Sequence, residues 1–288
     1  MRIAVLGSRG QLGAAIVHEC RSAHEVTAFA YADLDITDGE AVAAAMDRTR
    51  PEVIINCAAY NDVDGAEDHP VDALNGNAFS VLSLARAAAD HGAILVHYST
   101  DFVFDGTASA PYAEDDPANP RGVYAASKLL GEWFAADAPR AYVLRVESLF
   151  GCAPEGRPAK GSVAVILNAI LAGCDVRVFE DRTVSPTYVV DAARATRRLL
   201  EASVPAGLYH CVNSGHCTWL EFARELARQL GVDARLIPVS MADVPMRAAR
   251  PQYCALSNEK LVAAGIDMPT WQDAVTRYLQ TVRSELAH

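Results

Sequence analysis

Tyr124 and Lys128 stand four residues apart in YAASK, a spacing that puts both on one face of a helix. A phenol has a reference pKa of about 10, and a neighbouring ammonium favours the phenolate, so the pair reads as a proton donor tuned toward neutral pH. With ten tyrosines and three lysines in 288 residues, a chance Tyr-x-x-x-Lys is expected about 0.1 times. Thr100, in HYSTDFVFDG, falls at the C-terminal end of an apolar strand, the edge where ligands of open α/β sheets bind. Its hydroxyl can donate to a carbonyl oxygen that Tyr124 also contacts. The competing account is a satisfied strand-end hydroxyl and a helix-packing aromatic.

GSRGQLG sets glycines at 7, 10 and 13 directly after a strand that begins at residue 2 and directly before a helix. There Gly7 permits the tight turn, Gly10 lets backbone approach a pyrophosphate, and Gly13 lets helix and strand pack closely. A dinucleotide site is expected. Asp35 in ADLDITD either accepts from an adenine amino group, with Ile36 covering the ring, or simply starts a helix turn. Asn56, Cys57, Ala58 and Ala59 close the third strand with small side chains, as a backbone passing close to a cofactor ribose requires and as burial alone would also select. The second strand ends Ala28, Phe29, Ala30, Tyr31, with no acidic side chain to hold a ribose 2′-hydroxyl, while Arg9 either reaches a 2′-phosphate or stays solvated. NADP(H) is the expected coenzyme of preference, with NAD(H) also usable.

Positioning these residues falls to alternating elements. Strands are expected at 2–6, 25–30, VIINCAA, ILVHYST and 141–146, and helices at QLGAAIVHECRSA, near 38–48, around 71–90 and at 124–136. The alternation predicts βαβ units and an α/β fold, a Rossmann-type doubly wound parallel sheet. Thr37 with Glu40 and Thr218 with Glu221 have capping-box spacing. After Gly151, CAPEGRPAKG reads as a Pro/Gly loop. A helix from about Val163 to Ala172 follows, SPTYVVDAARATRRLLEAS resumes an amphipathic helix, and the tail between Leu230 and Trp271 is loop-rich. A dinucleotide-binding domain over 1–150, completed by about 184–214, and a smaller discontinuous substrate lobe from 151–183 and 215–288 are expected.

Composition bounds the function. A chain of 288 residues, 51% apolar and 21% charged, is a globular protein of one large or two unequal domains. A net charge of −11 repels phosphate backbones and argues against nucleic acid. No apolar run nears the ~20 residues that span a bilayer, and MRIAVLGSRG reads as a strand entering a glycine turn, so a cytoplasmic protein with no membrane partner is expected. Seven scattered cysteines fit reduced thiols. His210, Cys211, His216 and Cys217 carry ligand-type atoms, but sequence neighbours point oppositely along a strand, and no metal is expected.

Taken together, GSRGQLG, LDITD, NCAAYNDVDGAE, STDFVFDG, PYAEDDPANPRGVYAASKLLGE, SPTYVVDAA, GLYHCVNSGHCTW and ARPQYCALS resemble the extended short-chain dehydrogenase/reductases and, within them, the dTDP-4-dehydrorhamnose reductase family, over nearly the whole chain. The resemblance implies Thr100, Tyr124 and Lys128 as the catalytic trio, with Tyr124 protonating a sugar C4 oxygen while a nicotinamide delivers hydride to C4. It adds Gln11, Leu12 and Tyr60 to the cofactor contacts. Around the sugar it implies Val63, Asp64, Asp101, Phe102 and Arg250.

Departures from the family pattern accompany the matches. Where the family has an Arg-Thr-Ser-Trp type segment, this chain has Arg145, Val146, Glu147, Ser148 and Leu149, losing an aromatic sugar contact and gaining the Glu147 carboxylate nearby. Phe102 replaces a typical tyrosine. Ala15 stands where some members hold a dimer-bridging metal through glutamate, so a metal-linked dimer is not expected, and the chain is read as a monomer or homodimer. The implied activity is NAD(P)H-dependent 4-keto reduction of a nucleotide-activated deoxysugar, in deoxysugar or cell-surface polysaccharide biosynthesis. The alternatives are a sugar-nucleotide epimerase or dehydratase, and a non-catalytic NADP-binding regulatory subunit.

Overall fold

The computed structural model describes residues 1–151, 161–202 and 204–286; apart from Gly161, the Pro/Gly loop expected after Gly151 lies outside them. Strands β1 (Arg2–Leu6), β2 (Glu25–Phe29), β3 (Val53–Asn56), β4 (Ile94–Thr100) and β5 (Ala141–Val146) join the Gly207–His210 strand in one parallel sheet, ordered β2, β1, β3, β4, β5, Gly207–His210. Alternate side chains serve opposite faces. Ile3 and Val5 pack with α1 (Gln11–Arg21) and the Val189–Glu201 helix, whereas Ala4 and Leu6 pack with α2 (Gly39–Thr49) and the Ser80–His91 helix. Burial on both faces is why β3 reads as the unbroken run VIIN. The chain steps from β1 out to β2 and back across β1 to β3, so the topological switch point, where ligands of such sheets bind, lies between β1 and β3.

A second apolar core gathers later segments: the helices Ser162–Leu171, Trp219–Leu230 and Trp271–Leu286 and the parallel pair Val176–Phe179 with Leu236–Val239, around Phe150, Trp219, Phe222, Trp271 and Tyr278. The expected loop-rich tail thus contains a strand, Leu236–Val239, and a short helix, Glu259–Ala263.

Two local expectations are corrected. The Thr218 capping box forms, with Thr218 Oγ1 accepting from Glu221 N at 3.1 Å and Glu221 Oε2 from Thr218 N at 2.8 Å, but Thr37 caps nothing. The Asp35 carboxylate accepts from both Thr37 N and Thr37 Oγ1, which leaves Asp38 to cap α2 through Ala41 N at 3.0 Å. The single helix expected around 71–90 is divided into Pro70–Leu74, a π-helical turn at Asn75–Phe79, and Ser80–His91. Asn77 on that turn is responsible for much of the geometry described next.

Candidate active site

The glycine turn and the end of β3 are pressed together at the switch point. A Cβ on Gly7, whose φ is +72°, would lie 2.7 Å from Ala58 N, and one on Gly13 would lie 2.2 Å from Gly7 O. Gly10 is different: its φ of −72° and ψ of 163° suit any residue, and a Cβ there meets only Gly7 O, at 3.2 Å. No side chain caps α1 and no acidic residue occupies its first turn, so its leading amides are left for an anion. These features fit a dinucleotide's pyrophosphate. Of the other expected cofactor contacts, Leu12 is a buried residue of the first turn of α1, Ile36 lies in the core by α2, and Gln11 Nε2 donates to Gly151 O. Arg9 is exposed. The expectation that β2 lacks an acid at its tip is corrected: Asp33 folds back so that its Oδ2 accepts from Ala30 N at 2.9 Å.

Buried side chains fix the β3 exit. Asn56 Oδ1 accepts from Ala58 N at 3.0 Å while its Nδ2 faces His97 Nδ1 at 3.2 Å. Asn77 accepts from Tyr60 N at 2.9 Å and donates to both Tyr60 O and Ser127 Oγ at 3.0 Å, joining the loop after Ala59 to the Val123–Ala135 helix. π-helical turns often mark functional sites, and this one delivers Asn77 to its three partners.

Tyr124 and Lys128 share the Val123–Ala135 helix as their spacing implied, and Thr100 is the last residue of β4. The Thr100 hydroxyl donates to Asp101 Oδ1 at 2.9 Å and acts on the Tyr124 phenol, and Phe102 sets its ring edge-on to Tyr124 with centroids 5.7 Å apart. The expected tuning by Lys128 is corrected. Burial first, and then the charge of Asp101, push the Tyr124 phenol up, with the Thr100 hydroxyl opposing. Lys128 is buried and donates from Nζ to Tyr98 O at 2.6 Å; burial brings its ammonium down to about 8, against the pull of Glu132. The phenol is therefore held protonated, a donor rather than a base.

Next to this trio, Asp101 and Glu147 are both buried. Asp64 and Arg250, expected to flank the sugar, bind each other: Arg250 donates to Asp64 Oδ1 at 2.9 Å and to Oδ2 at 2.7 Å, and this holds the Asp64 carboxyl down at about 2. Val63, partly buried, precedes Asp64 at that junction. The four residues weighed as metal ligands are dispersed: His210 Nδ1 contacts Ser257 O, Cys211 lies in the core beneath α1, Cys217 lies in the second core, and His216 stands beside the Tyr253 ring.

Residues 1–284 match the family model described as the RmlD substrate binding domain. The chain belongs to that family. Over 281 residues, 94% of this chain and 91% of the relative, the RmlD-family chain is 36% identical to a dTDP-4-dehydrorhamnose reductase of Streptomyces griseus. Among solved structures it is similar to a dTDP-4-dehydrorhamnose reductase of Clostridium acetobutylicum, with a TM-score of 0.92 and 34% identity over 98% of this chain and 100% of that one. It is also similar to that of Bacillus anthracis in complex with NADP, with a TM-score of 0.91 and 31% identity over 97% and 99%.

Sequence reasoning missed Asn77, His97 and Arg182 in this RmlD-family site. The polar NGN interrupting an apolar helical pattern was a signal for the first. His97, mid-strand, and Arg182, some eighty residues from Asp101, left none.

Proposed function

We propose that this chain reduces the C4 keto group of a nucleotide-activated deoxysugar, as a dTDP-4-dehydrorhamnose reductase does, using NADP(H) in preference to NAD(H). The observation that carries the reading is a Tyr124 phenol that burial keeps protonated, on one helix with Lys128 and acted on by the Thr100 hydroxyl from the C-terminal edge of β4. Family membership and the NADP held by the Bacillus anthracis relative support it. When bound, the coenzyme supplies a hydride. Gly7, Gly10 and Gly13 keep the α1 N-terminus open to its phosphates, Ala58, Ala59 and Tyr60 line its path, and Arg9 supplies a cation for a 2′-phosphate. Thr100 and Tyr124 converge on the substrate oxygen, and Tyr124 gives it a proton as negative charge develops there. The Lys128 ammonium, anchored on Tyr98 O, serves the coenzyme's ribose.

The first 150 residues, completed by 184–214, act as the coenzyme domain, and 151–183 with 215–288 as the sugar-nucleotide lobe. Val63, Asp64, Phe102 and Arg250 face the sugar, with Asp101 and Glu147 buried behind them. The chain works in the cytoplasm as a monomer or homodimer, in deoxysugar or cell-surface polysaccharide synthesis; none of its described helices is long and apolar enough to cross a membrane. Incubation with NADPH and dTDP-, GDP- and UDP-4-keto-6-deoxysugars, followed at the nicotinamide absorbance band, tests the reading. Oxidation of NADPH with one of these sugars is expected, and none with any of them overturns it.

A further inference from the structure

Asp101 follows β4 and Glu147 follows β5, yet their carboxyls enter one nest: with the Cys254 thiol, the ligand-type atoms of the three residues lie within 4.8 Å of one another. Asp101 is 3% exposed and Glu147 2%. One oxygen of each is tied, Asp101 Oδ1 accepting from Thr100 Oγ1 at 2.9 Å and Glu147 Oε2 from Ser185 N at 2.7 Å. The other two, Asp101 Oδ2 and Glu147 Oε1, are buried without a hydrogen-bond partner, as is Arg182 Nε. Ser148, next to Glu147, takes a φ of +45°, a strained turn at the point where the chain delivers this carboxylate inward.

Charge balance decides what the nest holds. The Arg182 guanidinium acts on both carboxyls, donates toward Cys254 Sγ at 3.8 Å and lies over the Phe102 ring at 5.5 Å. The other titratable groups acting on the pair are neutral: Cys254 donates its thiol proton to Pro251 O at 3.2 Å, and burial keeps Cys217, Tyr253 and Tyr124 protonated. Two carboxylates against one guanidinium leave one excess negative charge out of water. A single retained proton removes it and makes one carboxyl of the pair a donor in place of a second buried anion. We propose that Asp101 and Glu147 share one proton at neutral pH and pass it through the Thr100 hydroxyl to Tyr124 each time that phenol has protonated the sugar oxygen. Burial, pushing both carboxyls up, acts in the same direction.

This rests on the reductase reading, and the step balances as follows. The carbonyl carbon takes a hydride from NAD(P)H, the carbonyl π pair moves onto oxygen, and that oxygen takes the Tyr124 proton. The Thr100 hydroxyl, which donates to Asp101 Oδ1 at rest, turns its proton to the phenolate; Thr100 Oγ1 takes in exchange the proton of the Asp101–Glu147 pair, delivered from Asp101 Oδ1; and water refills the pair when product leaves. Glu147 is a positioning residue, acting through Asp101 and Thr100.

Infrared spectroscopy of the coenzyme-free protein tests the store without any turnover. The wild type is expected to show one protonated-carboxyl stretch persisting at about pH 7, where ordinary carboxyls are ionised. Glu147→Gln, which keeps an acceptor for Ser185 N, leaves Asp101 alone with Arg182, so the band is lost. Absence of the band in the wild type, or its survival in Glu147→Gln, overturns the proposal. Kinetically, with NADPH and dTDP-4-dehydrorhamnose, Glu147→Gln lowers kcat at about pH 8 on the order of tenfold with KM nearly unchanged, and moves the alkaline limb of kcat to lower pH. Profiles that superimpose after scaling mean a merely structural role and overturn the store. No NADPH oxidation by the wild type overturns the reductase reading instead, and the infrared result stands apart from it.

Discussion

The three glycines of the β1 turn should fail in two different ways when each is changed to alanine. At Gly7 the φ of +72° costs an L residue about 1–2 kcal/mol, and a methyl 2.7 Å from Ala58 N and 2.8 Å from the Cys57 carbonyl carbon adds an overpacking cost of about 1–3 kcal/mol, because both neighbours are backbone. At Gly13 the backbone is helical and alanine alone would gain about 0.5–1 kcal/mol, but its methyl would sit 2.2 Å from Gly7 O, the atom that accepts from Gly10 N at 2.9 Å. Gly7→Ala should lose roughly 2–5 kcal/mol of stability, and Gly13→Ala, with the overpacking cost at its upper end less the helical gain, about 2 kcal/mol. Gly10→Ala meets only Gly7 O at 3.2 Å in an ordinary extended conformation, and the unfolded chain loses entropy worth about 0.4–1 kcal/mol, so stability should stay within about 1 kcal/mol of wild type. The folded protein has no use for glycine at 10, but a phosphate approaching the amides does. Urea unfolding together with NADPH titration separates the cases. Gly10→Ala should unfold like wild type yet bind NADPH at least about tenfold more weakly, ~1.4 kcal/mol. Wild-type affinity in a folded Gly10→Ala protein would refute the placement of the pyrophosphate on this turn.

Other perturbations give separate readings. Tyr124→Phe should lower kcat by about 10²- to 10⁴-fold with NADPH affinity near wild type, and unchanged turnover would remove Tyr124 from its role. Lys128→Met should weaken NADPH binding more than Tyr124→Phe does, since it removes both a charge and a ribose contact; equal dissociation constants would contradict that double duty. Arg9→Ala should abolish a wild-type preference for NADPH over NADH of about tenfold in kcat/KM, ~1.4 kcal/mol, and a wild-type preference for NADH would point to Asp33 as the group reading the ribose. Arg250 holds the Asp64 carboxyl at about 2, below its ordinary 3.8, so the stabilisation is full above the ordinary value and is lost as pH falls through about 2. The urea midpoints of wild type and Arg250→Met should therefore differ slightly at neutral pH and converge in acid, the gap kept small by solvent at this partly exposed pair. A gap that is constant with pH would show that the ion pair is not its source.

Much of this architecture is written locally. The apolar runs of β1, β3 and β4, the glycines between β1 and α1, and the four-residue step from Tyr124 to Lys128 each carry their own reason, so strand order aside they are legible residue by residue. What escaped depends on partners far along the chain. The π-turn at Asn75–Phe79 is set by bonds from Asn77 to Tyr60 and Ser127, the latter 50 residues away. Thr37 matched the capping pattern but was claimed by Asp35, a competition between two local motifs that spacing alone does not resolve. The direction in which Tyr124 shifts depends on burial and on Asp101, neither of which is visible in YAASK. Arg182, in the second half of the chain, meets Asp101 and Glu147 only once both cores are built.

The central claim is that hydride arrives at C4 of the sugar while Tyr124 protonates the oxygen. NADPH deuterated on its transferable nicotinamide carbon, incubated with the wild-type chain and dTDP-4-dehydrorhamnose, should leave deuterium bonded to C4 of the product, in one-to-one ratio with NADP formed and with turnover strongly reduced in Tyr124→Phe. A sugar converted without net NADPH oxidation and without deuterium at C4 would contradict the account and assign the site to epimerisation.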